Sequence, residues 1–178
     1  MKNRIKGFVR KILSGLVACG FVSLSAFYAI DIGTQTLKED ETTCTKLSAT
    51  LSREEHRYTT QYTYKDKLNA NPFKYLSKKT VISYVNRITK EVLAEITVVM
   101  KFKYNEKTHQ AECISTASSS MAKDSEYSVN VSARKANSTT EQGGGLLSSE
   151  FKYRGESQDK LNRQYICSYF GDIEVLDS

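Results

Sequence analysis

From Val92 to Tyr104 every second residue is apolar: Val92, Ala94, Ile96, Val98, Met100, Phe102 and Tyr104, set against Glu95, Thr97, Lys101 and Lys103. Side chains alternate across a strand with a period of two, whereas a helix repeats near 3.6, so this row predicts a strand with one buried face. Asn105-Glu106-Lys107-Thr108 reads as a four-residue turn. If Tyr104 pairs with His109 across it, Phe102 meets Ala111, Met100 meets Cys113, Val98 meets Ser115 and Ile96 meets Ala117. Large residues then face small ones along the whole pair, which fills a buried cross-strand surface without clashes. Upstream, Thr80 to Ile88 predicts another strand, joined through a tight turn at Thr89-Lys90, and the three form an antiparallel meander.

The same alternation recurs on either side. Leu47, Ala49 and Leu51 oppose Lys46, Ser48 and Thr50 in one predicted strand, and Tyr58, Thr60, Tyr62 and Tyr64 oppose Thr59, Gln61 and Thr63 in another. Ser52 and Glu55 between them have capping-box spacing, but no helical stripe follows, so they read as a turn. Residues 65–78 hold the single proline, Pro72, and read as a long loop whose Phe73, Tyr75 and Leu76 tuck onto the core. Downstream, Tyr127, Val129, Val131 and Ala133 share a face, as do Leu147, Phe151 and Tyr153, and then Tyr165, Cys167 and Tyr169. The link from Ala136 to Gly145 reads as a mobile loop ending in three glycines, and Gly155 to Leu161 as a turn. Gly171 breaks the last run before Ile173 and Val175, which makes a closing hairpin. About eight short antiparallel strands with no amphipathic helix among them predict an all-β sandwich.

Before this domain stands ILSGLVACGFVSLSAFYAI, Ile12 to Ile30, without a charged residue. Lys2, Arg4, Lys6, Arg10 and Lys11 precede it and Asp31 follows, the order of an export signal. A cleaved signal peptide ending near Ser23 and Ser25, a retained single-pass anchor and lipidation at Cys19 of Leu16-Val17-Ala18-Cys19 are all open. The segment is long enough for the second of these, since about 20 residues span a bilayer core. Asp31 to Thr43 is polar and reads as a tether. The chain therefore divides into a leader over 1–30, a linker over 31–43 and an extracytoplasmic β domain over 44–178.

The net charge of +6 is carried by the leader. Its five basic residues leave the remainder at +1, so a nucleic-acid partner loses its main support. Three cysteines lie outside the leader, Cys44, Cys113 and Cys167. Cys113 and Cys167 share the expected core side, which makes them the preferred disulfide in an oxidising compartment. A bridge through Cys44, or three free thiols, is the alternative.

Catalytic signals are weak. His109 and Cys113 sit four residues apart on one predicted strand, about 13 Å, beyond the contact a nucleophile and its base require. Glu54, Glu55 and His56 are too few for a zinc site with supporting groups. Gly143 to Gly145 lack the Lys and Ser or Thr of a phosphate loop. No cofactor is implied. Eleven tyrosines and no tryptophan stand out. Tyr58, Tyr62 and Tyr64 form either a binding surface or, as the favoured reading, one side of the core with hydroxyls at the rim.

These features imply a secreted or surface interaction module that is not an enzyme. Its partner would be a protein or a cell-envelope ligand, with membrane attachment through residues 12–30 if that segment is retained. A cell-envelope hydrolase using Glu54, Glu55, Asp124 or Glu126, and an accessory subunit of a membrane complex, are the rivals.

Overall fold

A computed structural model describes residues 32–64 and 73–177, with side chains from residues 41–62 and 73–177. Residues 1–31, including the leader and Cys19, and residues 65–72 around Pro72 lie outside the described residues. Nine strands are described: β1 (Ile32–Lys46), β2 (Leu51–Tyr64), β3 (Lys74–Asn86), β4 (Val92–Asn105), β5 (Gln110–Ala122), β6 (Tyr127–Ala136), β7 (Gln142–Tyr153), β8 (Glu156–Ser168) and β9 (Ile173–Asp177). They form two antiparallel sheets, β1 to β5 in one and β6 to β9 in the other, each strand paired with its neighbour in sequence. The all-β expectation holds. The strands, however, are not short: all but β9 run to ten residues or more.

β4 shows the predicted alternation, with Ala94, Ile96, Val98, Met100, Phe102 and Tyr104 buried and only Val92, at the strand's start, exposed. β3 and β5 flank it, as the meander requires. One apolar core draws on both sheets. Tyr84 of β3 stacks on Phe151 of β7 with ring centroids 4.2 Å apart, and the Tyr165 hydroxyl of β8 donates to Thr80 Oγ1 of β3 at 3.0 Å. The predicted inward row of β6 is half-buried against this core at Tyr127, Val129, Val131 and Ala133.

The β4–β5 register departs from expectation twice. Asn105 Oδ1 accepts the backbone N–H groups of Lys107 and Thr108, so the turn runs on through His109, which takes φ 52°. Tyr104 therefore faces Ala111 and Phe102 faces Cys113, two residues on from the predicted partners. A bulge at Ile114 then shifts β5 by one more position, and Thr116, Ser118 and Ser120 oppose Met100, Val98 and Ile96. A one-residue slip swaps the faces of a strand, so the serines of β5 turn toward the second sheet. There Thr116 Oγ1 donates to the Ala133 carbonyl at 3.1 Å and Ser120 Oγ to that of Val129 at 3.5 Å, so hydroxyls link the sheets where β5 meets β6.

Five other expectations are corrected. The segment read as a tether enters β1 from Ile32, because an edge strand paired on one side needs no apolar face to be held. Residues 47–50, read as a strand, are the β1–β2 turn, where Leu51 O accepts from Leu47 N and Ser48 N. Ser52 to Glu55 lie inside β2 rather than in a turn. Gly143, Gly144 and Gly145 belong to β7, not to a loop. The reason is close packing. A Cβ on Gly143 would stand 2.6 Å from the Cys113 backbone nitrogen, and one on Gly145 would stand 2.4 Å from Met100 Sδ. The loop that remains is residues 137–141. The β7–β8 connection is tighter than the predicted turn from Gly155 to Leu161, with Arg154 at φ 49° and Gly155 at φ 84° between the paired Tyr153 and Glu156. Two consecutive positive φ values match the twist of a two-residue hairpin.

Candidate binding surface

Part of the charge in this domain lies between its sheets. The inward row of β2 carries Arg53, Glu55 and Arg57, and it lies opposite Asp159 and Arg163 of β8 and Asp177 of β9. Arg163 Nη1 donates to Glu55 Oε1, its Nε to Asp177 Oδ1 at 2.6 Å, and Arg57 Nε to Glu55 Oε1 at 2.6 Å. Arg53 Nη1 donates to Asp159 Oδ2 at 2.8 Å, and the same oxygen accepts the Tyr84 hydroxyl at 3.0 Å. Glu55 and Arg163 are both buried. Each of these charges is compensated, as burial requires. The signal missed in the sequence is the period-two spacing of Arg53, Glu55 and Arg57, which a search for apolar rows passes over.

The predicted site residues are distributed accordingly. Glu55 faces the interior while Glu54 and His56 alternate to the other side of β2, where His56 Nδ1 lies 3.1 Å from Thr42 Oγ1. Among the described residues no group of three His, Cys, Asp or Glu side chains is placed to hold a metal ion. Glu126 accepts Arg154 Nη2 at 2.6 Å, and Asp124 Oδ1 accepts the Glu126 backbone N–H at 2.9 Å, so these carboxylates brace the β5–β6 turn and tie it to the β7–β8 turn. Glu54 and Glu55, on opposite faces, cannot serve one cleft together. Tyr58 and Tyr62 are half-buried on the outer face of β2, in register with Lys79 and Tyr75 of β3, so they do not line the core as expected. Tyr64 closes β2 and its backbone pairs with Ile32.

The expected Cys113–Cys167 bridge is not formed. Both thiols are buried and free, and Cys44 is exposed and free. Each buried thiol turns to a backbone carbonyl of its own strand, Cys113 Sγ to Ser115 at 3.8 Å and Cys167 Sγ to Ser168 at 3.5 Å. Burial pushes the Cys113 thiol up and the Cys167 thiol up to about 12, which leaves little thiolate to react. Maleimide labelling of the native protein at about pH 8 should therefore mark Cys44 and spare Cys113 and Cys167 until denaturant is added. Peptide mapping reads the result, and native labelling of Cys113 would show that the core opens there.

The turns at one end of the sheets carry a group of residues that composition alone did not single out. His109, in the β4–β5 turn, stacks on Tyr169 with centroids 4.5 Å apart, and Phe170 lies tilted against Tyr169 at 4.2 Å. Phe170 is 59% exposed. Gly171 holds the turn beneath, at φ 88°, where a Cβ would stand 2.5 Å from the Tyr104 ring. Beside this stack the 137–141 loop is tied to β5 by a bond from Ala111 N to Thr140 O at 2.9 Å. Between loop and sheet lies a hollow of about 360 Å³ lined by Phe73, Lys103, Gln110, Ala111, Glu112 and Ser138 to Thr140. Lys103 Nζ stands 5.2 Å from the Phe73 ring centroid and 2.8 Å from Glu112 Oε2. Pairing with Lys103 holds the Glu112 carboxyl below its usual range despite the desolvation that opposes it.

No family model, curated protein or solved structure matches the chain.

Proposed function

We propose that this chain is an exported, non-catalytic β-sandwich protein that works by binding a cell-envelope partner, with its contact surface at the end formed by the β4–β5, β6–β7 and β8–β9 connections. The observation that carries this reading is the His109–Tyr169–Phe170 cluster, which leaves a large aromatic side chain mostly in water. Rigid aromatic groups give contact area at little cost in conformational freedom, and such anchors dominate binding energy at many interfaces. Export is supported by the basic-then-apolar order of residues 2–30.

The test uses the full chain with a C-terminal epitope in the cells that make it. Added protease is expected to remove the epitope from intact cells, or the epitope is recovered in the medium. Purified protein is expected to rebind envelope material from those cells, and Tyr169→Ser/Phe170→Ser to bind at least about tenfold more weakly while melting as the native protein does. An epitope found only in the cytosol, or undiminished binding by the double variant, overturns the proposal.

A further inference from the structure

We infer that the hollow between β5 and the 137–141 loop is a binding site for a neutral oligosaccharide, one whose sugar ring lies over Phe73 while its hydroxyls meet the surrounding polar groups. This rests on the binding reading above and names the ligand class for that end of the molecule.

The lining decides the chemistry. At about 360 Å³ the hollow is at the small end of ligand sites, enough for part of a chain of sugars rather than a large cofactor. Its one aromatic ring, Phe73, is half-buried, with the Lys103 ammonium over one face at 5.2 Å from the centroid, so a sugar ring would lie against the other face. Aromatic faces carry partial negative charge, and the C–H groups of a pyranose with equatorial substituents form a flat, slightly positive surface that fits such a face.

The remaining groups suit a polyol. Gln110 offers an amide donor and acceptor, Glu112 a carboxylate acceptor, Lys103 an ammonium donor, and Ser138, Thr139 and Thr140 hydroxyls that do either. Sugar hydroxyls both donate and accept, so they can be matched to each of these. Charge argues against an anionic ligand, because Lys103 and Glu112 are already joined at 2.8 Å and the lining has no other ionisable side chain. A nucleic acid or sulfated glycan would find one lining cation, already neutralised, and beyond it Lys135, whose charge already acts on Glu112. The loop wall is held in place by the Ala111 N to Thr140 O bond rather than left to close on the ligand.

The experiment is an amide-resolved NMR titration of the full chain isolated from the cells that make it, with four probes: chitotetraose, cellotetraose, a heparin tetrasaccharide and the oligonucleotide dT8. Saturable shifts are expected with chitotetraose or cellotetraose, at a Kd on the order of 1 mM or tighter, centred on Gln110, Ala111, Glu112 and residues 138–140. Phe73→Ser and Gln110→Ala should each weaken binding at least about tenfold, and an unchanged amide spectrum away from the hollow shows that the variants are folded. Absence of saturable shifts with both neutral saccharides overturns the proposal, as do shifts centred elsewhere. Tighter binding of heparin or dT8 overturns it too. If the neutral saccharides fail while Tyr169→Ser/Phe170→Ser still loses envelope binding, the sugar site falls and the binding module stands. If both fail, both fall.

Discussion

Replacing Arg163 by leucine is expected to cost about 3–5 kcal/mol of folding stability, because it leaves the buried Glu55 carboxylate short of its main partner. For a domain of this size that lowers the melting temperature by roughly 10 °C. The paired change Glu55→Leu/Arg163→Leu should recover most of the loss. Apolar groups can replace a buried ion pair at little cost, Arg57 keeps its bond to Glu41 at 2.6 Å, and Asp177, at 76% side-chain exposure, is solvated once released. Far-UV circular dichroism melts decide the matter, and a single variant within about 1 kcal/mol of the native protein would show that Glu55 finds compensation elsewhere.

The same network sets the response to acid. Burial pushes the Glu55 carboxyl up, but hydrogen bonds and charge from Arg163 and then Arg57 outweigh it and hold the group below its ordinary value. Asp177 is held low first by its hydrogen bond from Arg163. Acids whose pKa is depressed on folding take up protons more readily in the unfolded chain, so the stability they lend is complete above the unfolded carboxylate range, about pH 4–4.5. That contribution drains as pH falls through the lower folded values. Native protein should lose stability steeply below about pH 4.5, and the double leucine variant less steeply.

Phe151→Ala is expected to have a comparable effect, about 3–5 kcal/mol. Phe151 is 1% exposed, stacks on Tyr84 of the opposite sheet at 4.2 Å and lies 6.1 Å from the Tyr127 ring. Removing it opens a cavity between the layers that neither sheet can close alone. Phe151→Leu keeps much of the volume and should cost less than half as much. The exposed Phe170 gives the contrast, since Phe170→Ala should change stability by no more than about 0.5 kcal/mol. Urea unfolding measures all three, and a mild effect of Phe151→Ala would mean that the sheets collapse onto the space it leaves.

What the sequence discloses here follows from how strictly each strand alternates. β4 has an apolar group at every second position from Val92 to Tyr104, and most of the groups between are polar, so its limits and inward face are legible. β2 is legible only from Tyr58 to Tyr64, because the inner row of its first half is Arg53, Glu55 and Arg57, and a reading tuned to apolar rows takes those charges for a turn. The glycines of β7 mislead for the opposite reason: they resemble a flexible link until Met100 and the Cys113 backbone are seen to occupy the space their missing side chains leave. Register beyond the β4–β5 turn depends on Asn105 extending that turn through its side chain and on one extra residue at Ile114, neither of which alternation reveals. The aromatic cluster unites His109 with Tyr169 and Phe170 through three-dimensional neighbourhood alone, with no local pattern to announce it.

Because each strand is bonded to the strand next to it in the chain, the ladders can zip hairpin by hairpin without a long search. Distant parts of the polypeptide must find one another only when the layers close, and there the partners are specific: Glu55 with Arg163, Tyr84 with Asp159, Thr80 with Tyr165. Most of the loop-closure entropy is thus concentrated in a single docking event. Polar groups that accept only one partner geometry make that event choosy, so a mis-slid pair of sheets is rejected by unpaired charge rather than merely by poor packing.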